Sequence, residues 1–472
     1  MNLAEILRAY RPYLDGELGV IGAIEEIEIN GLSFDSRKVK SGNLFFCLSG
    51  GIHDGHDYAL QAEKNGAAAV VVEKQIAVSV PQIVVQNTRE TMGYISCIYF
   101  DFPSKEIEVI GITGTNGKTT TTQLVSKILN TAGVPSRTIG TLTGALTTPE
   151  APDLQGQFRS FANAGIKSVV MEVSSHALVQ DRVTGTEFDI GVFTNLSHDH
   201  LDFHSDIEEY FQTKCSMFSE TRCNFAVINI DDAFGLRLSK QIGIETSEIS
   251  SEDIEIRAES FAGSTIIWSD REVELKISGN FNIQNALLAA STCLALGVTE
   301  QDIVNGLEAA QPVPGRFEVI ESGEGKPVVV VDYSHTPAGI ENVLQAVRRI
   351  APEANLTIVF GCGGNRDASK RPEMARAAEM HADRVFITSD NPRYEDPQEI
   401  IEEALLGFQS PDSVIVEIDR EIAIQIAIES AKQGEVVVIA GKGDETTQEI
   451  RGKVKAFDDR VIAVEALQGG QR

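Results

Sequence analysis

The sequence predicts an α/β protein made of three domains. At 472 residues the chain is too long for one hydrophobic core, and about three domains are expected at this length. Apolar segments of strand length alternate with helical patterns from residue 105 onwards, which indicates mostly parallel sheets with right-handed crossovers. Pro- and polar-rich stretches at residues 102–105 and 312–316 are the expected boundaries. The predicted domains are residues 1–104, 105–318 and 319–472.

The first domain is the smallest, and its pattern predicts a small α/β unit. Residues 43–48 and 67–72 are apolar and of strand length, so we expect both to be buried strands. Residues 35–37 and 50–56 are rich in Gly, Asp, Ser and His and are expected to be loops.

The central domain begins with a strand, a glycine-rich turn and a helix. Residues 107–112 are apolar, residues 114–117 read Gly-Thr-Asn-Gly, and a helix is expected from Thr119. Backbone N–H groups of such a turn and the positive helix end bind phosphate, Lys118 adds a charge, and Thr119 offers a hydroxyl to Mg²⁺. Ile112 stands where a strict Walker A motif has glycine, so an ordinary strand–helix turn is the alternative. The pattern favours a P-loop-type domain.

Further strands are expected in both larger domains. In the central domain they are residues 168–173, 189–195 and 225–229, with a small β insertion at 264–268 and 272–277 and helices at 207–218 and, amphipathic, at 282–296. In the third domain they are residues 327–333, 356–361, 384–389, 413–417 and 435–440. The third domain is therefore predicted to be a doubly wound, Rossmann-like sheet.

Polar clusters follow four strands of the third domain, at residues 332–335, 363–367, 390–393 and 441–445. Ligands of an open α/β sheet bind beyond the carboxyl ends of its strands. The coincidence of four such clusters predicts a binding site at this edge more strongly than any one of them.

Three features of the central domain are candidates for chemistry. Glu172 ends a strand and is a natural Mg²⁺ ligand, with a helix cap as the alternative. Residues 198–204 hold three His and two Asp, which favours a metal site. Lys214 follows on a helix, and its spacing alone predicts a solvated lysine. Beside metal ions its ammonium group would be repelled, whereas a carbamate formed from the neutral amine and CO₂ would be negatively charged.

Five residues are candidate contacts to a nucleotide. Asn282 and Asn285 lie at a helix start, where their amides could bind an adenine edge or only cap the helix. Arg316, Asp332 and His335 could meet ATP if the third domain closes over the central one.

Composition excludes several classes of function. A formal charge of −29 without a basic face argues against nucleic-acid binding. No apolar run approaches eighteen residues and no secretion signal is visible, so we expect no membrane insertion. Six scattered cysteines without a CxxC pair fit a reducing cytoplasm. We expect small-molecule partners only.

The chain resembles the Mur ligases, ATP-dependent amide-forming enzymes of bacterial cell-wall synthesis, over its whole length. The resemblance lies in the order and spacing of eight motifs. They are Gly-Thr-Asn-Gly-Lys-Thr-Thr at 114–120, Glu-Val-Ser-Ser-His at 172–176, Asp-His-Leu-Asp-Phe-His at 199–204, Lys214, Asn-Ile-Gln-Asn at 282–285, Pro-Gly-Arg-Phe at 314–317, Asp-Tyr-Ser-His-Thr-Pro at 332–337 and Asp-Asn-Pro-Arg at 390–393.

The resemblance implies three sets of binding residues. For ATP they are Gly114, Thr115, Asn116, Gly117, Lys118, Thr119, Thr120, Asn282, Asn285, Arg316, Asp332 and His335. For the UDP-N-acetylmuramoyl dipeptide they are Ser36, Gly51, Ile52, His53, Thr147, Thr148, Ser174, Gln180 and Arg182. For the incoming amino acid they are Arg366, Asp390, Asn391, Pro392, Arg393, Gly441 and Glu445.

The resemblance also implies the chemistry. Lys118, Glu172, His200 and Lys214 would be catalytic, and Thr119, Glu172, His200 and N-carboxylated Lys214 would surround a pair of Mg²⁺ ions. Asp-Asn-Pro-Arg marks family members that take meso-diaminopimelate, because a guanidinium fork suits its second carboxylate. The D-Glu carboxylate of UDP-N-acetylmuramoyl-L-Ala-D-Glu would form an acyl phosphate that the amine attacks. Asp444 departs from the usual His of the last motif.

Alternative functions remain at this point. A lysine-adding homologue, an enzyme adding D-Ala-D-Ala, and a folylpolyglutamate-synthetase-like ligase belong to the same superfamily. A P-loop ATPase switch without ligase activity belongs to another class, since it needs the phosphate loop but not the clusters of the third domain.

Overall fold

The computed structural model describes residues 1–50, 53–321 and 323–469, and these residues form five sheets. None of the helices in these ranges has both the length and the apolar character needed to cross a membrane.

The N-terminal part holds a five-stranded sheet in the order β1-β5-β4-β3-β2. Only β1 and β5 pair antiparallel. The predicted strands β3 and β4 are confirmed, although β3 ends two residues early. The elements are α1 (Leu3–Tyr10), β1 (Gly19–Ile21), β2 (Gly31–Ser33), β3 (Asn43–Phe46), α2 (Ala59–Lys64), β4 (Ala67–Val72), β5 (Gln82–Val84) and α3 (Thr88–Tyr99).

The central part is built on a six-stranded parallel sheet, in the order β11-β10-β9-β6-β8-β7. An antiparallel sheet of β12, β13 and β14 replaces the two-stranded insertion that was expected. The elements are β6 (Glu108–Thr113), α4 (Lys118–Thr131), β7 (Ser136–Ile139), α5 (Ala151–Asn163), β8 (Ser168–Glu172), α6 (Ser175–Val179), β9 (Phe188–Phe193), α7 (Ile207–Cys215), β10 (Cys223–Asn229), α8 (Ala233–Ser239), β11 (Glu245–Ile249), β12 (Glu255–Ser260), β13 (Gly263–Trp268), β14 (Arg271–Leu275), α9 (Asn280–Ala295) and α10 (Glu300–Glu308).

The C-terminal part has a second six-stranded sheet, in the order β15-β16-β20-β17-β18-β19, parallel except for β15. A hairpin of β21 and β22 follows it. The elements are β15 (Glu318–Ile320), β16 (Val328–Asp332), α11 (Pro337–Ile350), β17 (Leu356–Cys362), α12 (Lys370–His381), β18 (Arg384–Ser389), α13 (Pro397–Leu405), β19 (Ile415–Val416), α14 (Arg420–Ser430), β20 (Val436–Ala440), β21 (Thr447–Ile450), β22 (Lys453–Ala456) and α15 (Asp459–Leu467).

Successive residues of the C-terminal strands enter two different hydrophobic cores. Val330 and Val438 pack with residues of α11, α12 and α13, whereas Val329 and Val437 pack with residues of α14 and α15. Since side chains alternate along a strand, helices cover both faces of the sheet. The prediction of a doubly wound sheet is confirmed.

The long helix α9 differs from its prediction. It starts at Asn280 rather than Asn282, and it is buried nearly all round rather than amphipathic. It packs against α4, α10 and β10, so apolar residues are required on most of its circumference. This placement brings its first turn beside the glycine-rich turn.

Candidate active site

The glycine-rich turn between β6 and α4 is pressed against two other elements. Gly114 has φ 147°, and a Cβ there would collide with the Thr194 hydroxyl after β9. Gly117 has φ 86°, and a Cβ there would overlap the Asn285 amide on α9. These two positions require glycine, because the backbone is left-handed and the neighbours are too close for a side chain. The turn is therefore closely packed against both elements.

Lys118 is the first residue of α4, directly after this turn. Its Nζ donates to the carbonyls of Gly114 at 2.9 Å and Thr115 at 2.8 Å. Burial lowers the pKa of the Lys118 ammonium from its ordinary value, while Glu172 and Asp199 oppose that shift. The lysine side chain therefore folds back onto the turn, where two backbone carbonyls accept its hydrogen bonds.

Glu172 faces the start of α4 from the end of β8. Its carboxylate is buried, and Oε2 accepts a hydrogen bond from the Thr119 hydroxyl at 3.0 Å. The Thr141 amide N–H donates to Oε1 at 2.9 Å. Glu172 caps no helix here, since Ser174 caps α6, so the capping alternative is wrong. A hydroxyl and a carboxylate meet at the turn.

Lys214 is buried beneath the same turn, which excludes the solvated alternative. Its Nζ donates to the Gly114 carbonyl at 2.9 Å and lies 4.7 Å from the centre of the Tyr210 ring. Burial holds the pKa of the Lys214 ammonium well below its ordinary value, and the charge of Lys118 acts in the same direction. A neutral amine is the form that reacts with CO₂, so this environment suits a carbamate.

The cluster at residues 198–204 does not form the metal site that its composition favoured. In the described ranges, no group of three or more His, Cys, Asp or Glu side chains is arranged to hold a metal ion. His198 contacts Asp367, Asp199 contacts Lys370, and His204 is buried. His200 and His204 instead lie near the rings of His176 and Tyr210, with His200 in a left-handed backbone conformation (φ 58°).

His200 keeps a place near the turn. Burial lowers the pKa of its imidazole to about 3; Asp199 opposes this shift, whereas Lys118 and Lys214 add to it. The ring is therefore neutral at physiological pH and can offer a nitrogen to a metal.

A cavity of about 720 Å³ lies between the glycine-rich turn, α9 and the start of α11. Asn282 and Asn285 line it, but their amides already bond to Ser278, Thr121 and each other. Eight of the predicted ATP residues line this cavity: Asn116, Gly117, Thr119, Thr120, Asn282, Asn285, Arg316 and Asp332.

Arg316 joins the central and C-terminal parts across this cavity. Its Nη2 lies 3.4 Å from both the Thr119 hydroxyl and the Asp444 carboxylate, and its guanidinium lies 4.0 Å from the Tyr333 ring centre. Its Nε is buried without a hydrogen-bond partner. Asp332 is used differently, because its carboxylate accepts from the Phe317 and Ser334 amides. Asp444, the departure from the family motif, thus holds an arginine at the cavity.

The predicted dipeptide-binding residues of the central part lie together. Arg182 donates to the Thr148 carbonyl at 2.9 Å and to Gln180 Oε1 at 2.6 Å. The Thr148 hydroxyl lies 3.4 Å from that of Ser174. Thr147 lies beside them, 3.2 Å from the Thr141 hydroxyl.

Two residues missed by the sequence analysis complete this group. Glu150 forms ion pairs with Arg182 at 3.0 Å and with Arg89 of α3 at 3.5 Å. No motif signals them, because their partners are distant in sequence. In the N-terminal part, Ser36 is buried and His53 is exposed beside Tyr58. Gly51 and Ile52 lie outside the described residues.

The predicted amino-acid residues form a second group beyond β18 and β20. Asn391 Nδ2 donates to Glu445 Oε2 at 2.8 Å, and Arg393 Nη1 donates to the Gly364 carbonyl at 2.7 Å. Arg366 is exposed on the neighbouring loop, and a Cβ at Gly441 would lie 2.9 Å from Asp390 Oδ2.

Lys442, which belongs to the predicted polar cluster at residues 441–445 but was given no role of its own, is a further member of this group. Its side chain is fully buried, and its Nζ contacts Glu445 Oε2 at 2.7 Å and Asn391 Oδ1 at 3.2 Å. Its individual role could not be assigned from the sequence, because only the fold brings Asn391 beside it.

Comparison with known proteins gives the family. Three family models match: "Mur ligase family, catalytic domain" at residues 28–97, "Mur ligase middle domain" at 112–293 and "Mur ligase, glutamate ligase domain" at 315–443. The UDP-N-acetylmuramoyl-L-alanyl-D-glutamate–2,6-diaminopimelate ligase of Geobacillus kaustophilus (strain HTA426) is 42% identical, covering 93% of this chain and 95% of the relative. That of Aquifex aeolicus (strain VF5) is also 42% identical, covering 93% and 94%.

A solved structure of a protein with the same name agrees in fold. It has a TM-score of 0.65 and 32% identity, and it covers 96% of this chain and 97% of that one. These relatives cover more than nine-tenths of the chain. On these grounds the chain belongs to the Mur ligase family.

Proposed function

We propose that this ATP-dependent amide ligase joins meso-diaminopimelate to the D-Glu γ-carboxylate of UDP-N-acetylmuramoyl-L-Ala-D-Glu. The observation that carries the proposal is the loop of Asn391 and Arg393, which lies beside Glu445 at the carboxyl edge of the C-terminal sheet. The far end of diaminopimelate carries both a carboxylate and an ammonium. An arginine fork suits the first group, and a carboxylate such as Glu445 suits the second.

The three predicted domains divide the substrates between them. Residues 1–104 would bind the UDP end, with Ser36, Gly51, Ile52 and His53. Residues 105–318 would bind ATP at the glycine-rich turn and the dipeptide at Thr148, Ser174 and Arg182. Residues 319–472 would bind diaminopimelate. The direct Arg89–Glu150–Arg182 contact supports a continuous path for the UDP-linked substrate from the first domain to the second.

The donor set at the turn fits Mg²⁺. Thr119 and Glu172 offer oxygen atoms, which Mg²⁺ prefers, and His200 offers a neutral nitrogen. Carboxylation of Lys214 would add two more oxygen atoms and replace a positive charge with a negative one. Only Glu172 and His200 of this set are acidic or His residues. The set is therefore not a cluster of three or more His, Cys, Asp or Glu side chains, a kind of site that the described ranges lack. Bound Mg²⁺, in a pair as the family implies, would offset the negative charge of the phosphate oxygens.

The reaction then proceeds through an acyl phosphate. The D-Glu γ-carboxylate attacks the γ-phosphorus of ATP, the bond to the bridging oxygen breaks, and ADP leaves. Lys118 and the N–H groups of the turn stabilise the charge on the transferred phosphoryl group. The neutral amine of diaminopimelate attacks the acyl carbon, phosphate departs, and the amine loses its proton. The protein contributes mainly position and charge.

We propose a cytoplasmic location, because two of the proposed substrates are ATP and a UDP-linked sugar, which are metabolites of the cytoplasm. The six cysteines are free thiols, which fits a reducing compartment.

The test is ADP release by the purified protein. Turnover is expected only when ATP, UDP-N-acetylmuramoyl-L-Ala-D-Glu and an amino acid are all present. Turnover with ATP alone would contradict the ligase function and favour a P-loop ATPase switch.

A further inference from the structure

The start of helix α12 contacts the central part of the chain through a buried ion pair. Lys370 Nζ lies 2.9 Å from Asp199 Oδ1, and the side chains are only 8% and 4% exposed. Asp199 follows β9 in the central part, whereas Lys370 is the first residue of α12 in the C-terminal part. Removing one partner of a buried pair leaves an uncompensated charge, so loss of either side chain should weaken this contact between the central and C-terminal parts.

The same carboxylate gathers two histidines. Asp199 Oδ2 lies 3.5 Å from the Nε2 atoms of both His335 and His200. His335 belongs to the C-terminal part and His200 to the proposed metal-binding set. The position of Asp199 therefore affects both histidines, and Lys370 holds Asp199 from the other side.

A second contact lies next to the first. His198 Nε2 is 3.0 Å from Asp367 Oδ2, and its Nδ1 is 3.0 Å from Glu373 Oε2. Asp367 and Glu373 lie on either side of Lys370. Residues 198–199 and 367–373 thus form one contact surface, which we call the latch.

Arg371 connects the latch to the amino-acid site. Its side chain is 1% exposed and pairs with Glu395 at 2.8 Å and Glu403 at 2.7 Å. It also donates to the Gly363 carbonyl at 3.3 Å. Glu395 lies two residues beyond Arg393, in the loop proposed to bind diaminopimelate. The adjacent residues Lys370 and Arg371 therefore contact the central part and this loop, respectively.

We propose that Lys370 is a positioning residue of the ligase reaction. Through Asp199 it holds the C-terminal domain over the glycine-rich turn, so that the amine reaches the acyl phosphate before water does. This inference rests on the proposed function. A displaced domain would leave the acyl carbon open to water, and hydrolysis would release phosphate without forming an amide.

The test measures ADP and amide product together, with all three substrates present. The wild-type protein is expected to form one product per ADP. Lys370→Met is expected to lower kcat roughly a hundredfold, the scale of a misplacement of about 1 Å. It is also expected to release more ADP than product. Lys432→Met is the matched control, because Lys432 is an exposed lysine of the same domain and should behave as wild type.

A double variant separates positioning from folding. Asp199→Asn should also uncouple ADP release from product, and Lys370→Met/Asp199→Asn should be no worse than the more damaged single variant. Because it leaves neither charge unpaired, this double variant supplies the same test if a single variant does not fold. Wild-type kcat with one product per ADP in Lys370→Met, or strictly additive losses in the double variant, would overturn the latch. A wild-type protein that forms no amide would instead overturn the proposed function.

Discussion

Arg420 and Asp459 form a fully buried ion pair beneath the amino-acid site. Neither side chain is exposed, and the guanidinium donates to the carboxylate twice, at 2.8 and 2.6 Å. Arg420 Nη2 also donates to the Ala440 carbonyl at 2.9 Å, one residue before Gly441. The pair therefore supports the backbone from which Gly441 and Lys442 extend.

Removing either Arg420 or Asp459 should lower the free energy of unfolding. Asp459→Asn leaves a buried guanidinium whose Nη1 already lacks a hydrogen-bond partner, so we expect a loss of about 3–5 kcal/mol in the free energy of unfolding. Arg420→Met should cost less, because Asp459 opens helix α15 and the helix N-terminus stabilises its negative charge. Replacing both, as Arg420→Met/Asp459→Leu, should recover most of the loss, since apolar side chains leave no unpaired charge.

Urea unfolding at pH 7 measures these differences, and steady-state kinetics tests their link to the site. In the variants that fold, KM for diaminopimelate should rise more than KM for ATP. The reason is that Arg420 supports the end of β20, from which the amino-acid site extends. A loss below about 1 kcal/mol in Asp459→Asn, or single losses that simply add in the double variant, would refute the reasoning.

Three further predictions concern the proposed active site. Lys214→Ala should abolish turnover, and a short added carboxylic acid should restore part of it; an unaffected variant would remove the carbamate. Chelation of divalent cations should stop ADP release, Mg²⁺ should restore it, and Glu172→Gln should need more Mg²⁺ than wild type; an unchanged requirement would count against Glu172 as a ligand. Lys442→Met should raise KM for diaminopimelate at least roughly tenfold, with KM for ATP unchanged, because a hydrogen bond to a charged group contributes about 1.5–3 kcal/mol. Equal changes in the two KM values would contradict its role at Asn391 and Glu445.

Part of this fold is visible in the sequence, because buried parallel strands are continuous apolar runs. Residues 67–72 and 384–389 form strands with the predicted bounds. Strands β1 and β2 have three residues each, too few to show a period, and β12 is almost wholly exposed, so it lacks an apolar signal. Helix α9 deviates because neighbours surround it.

The site could be predicted where neighbours in sequence are also neighbours in space. The turn at residues 114–120 and the loop at residues 390–393 are local motifs that lie at strand ends. The composition of residues 198–204 was a poorer guide, because His198 and Asp199 pair with Asp367 and Lys370, which are far along the chain. Lys370 was missed because its burial and its pairing with Asp199 arise only from tertiary contacts.

The central claim is that the C-terminal domain selects an amino acid with a second carboxylate. Its most direct test compares kcat/KM for meso-diaminopimelate and L-lysine, with ATP and UDP-N-acetylmuramoyl-L-Ala-D-Glu held saturating. Loss of the contacts to the second carboxylate should disfavour L-lysine by roughly a hundredfold or more. In Arg393→Gln the ratio of kcat/KM for meso-diaminopimelate to kcat/KM for L-lysine should be smaller than in the wild-type protein. Equal or better use of L-lysine by the wild-type protein would contradict the account.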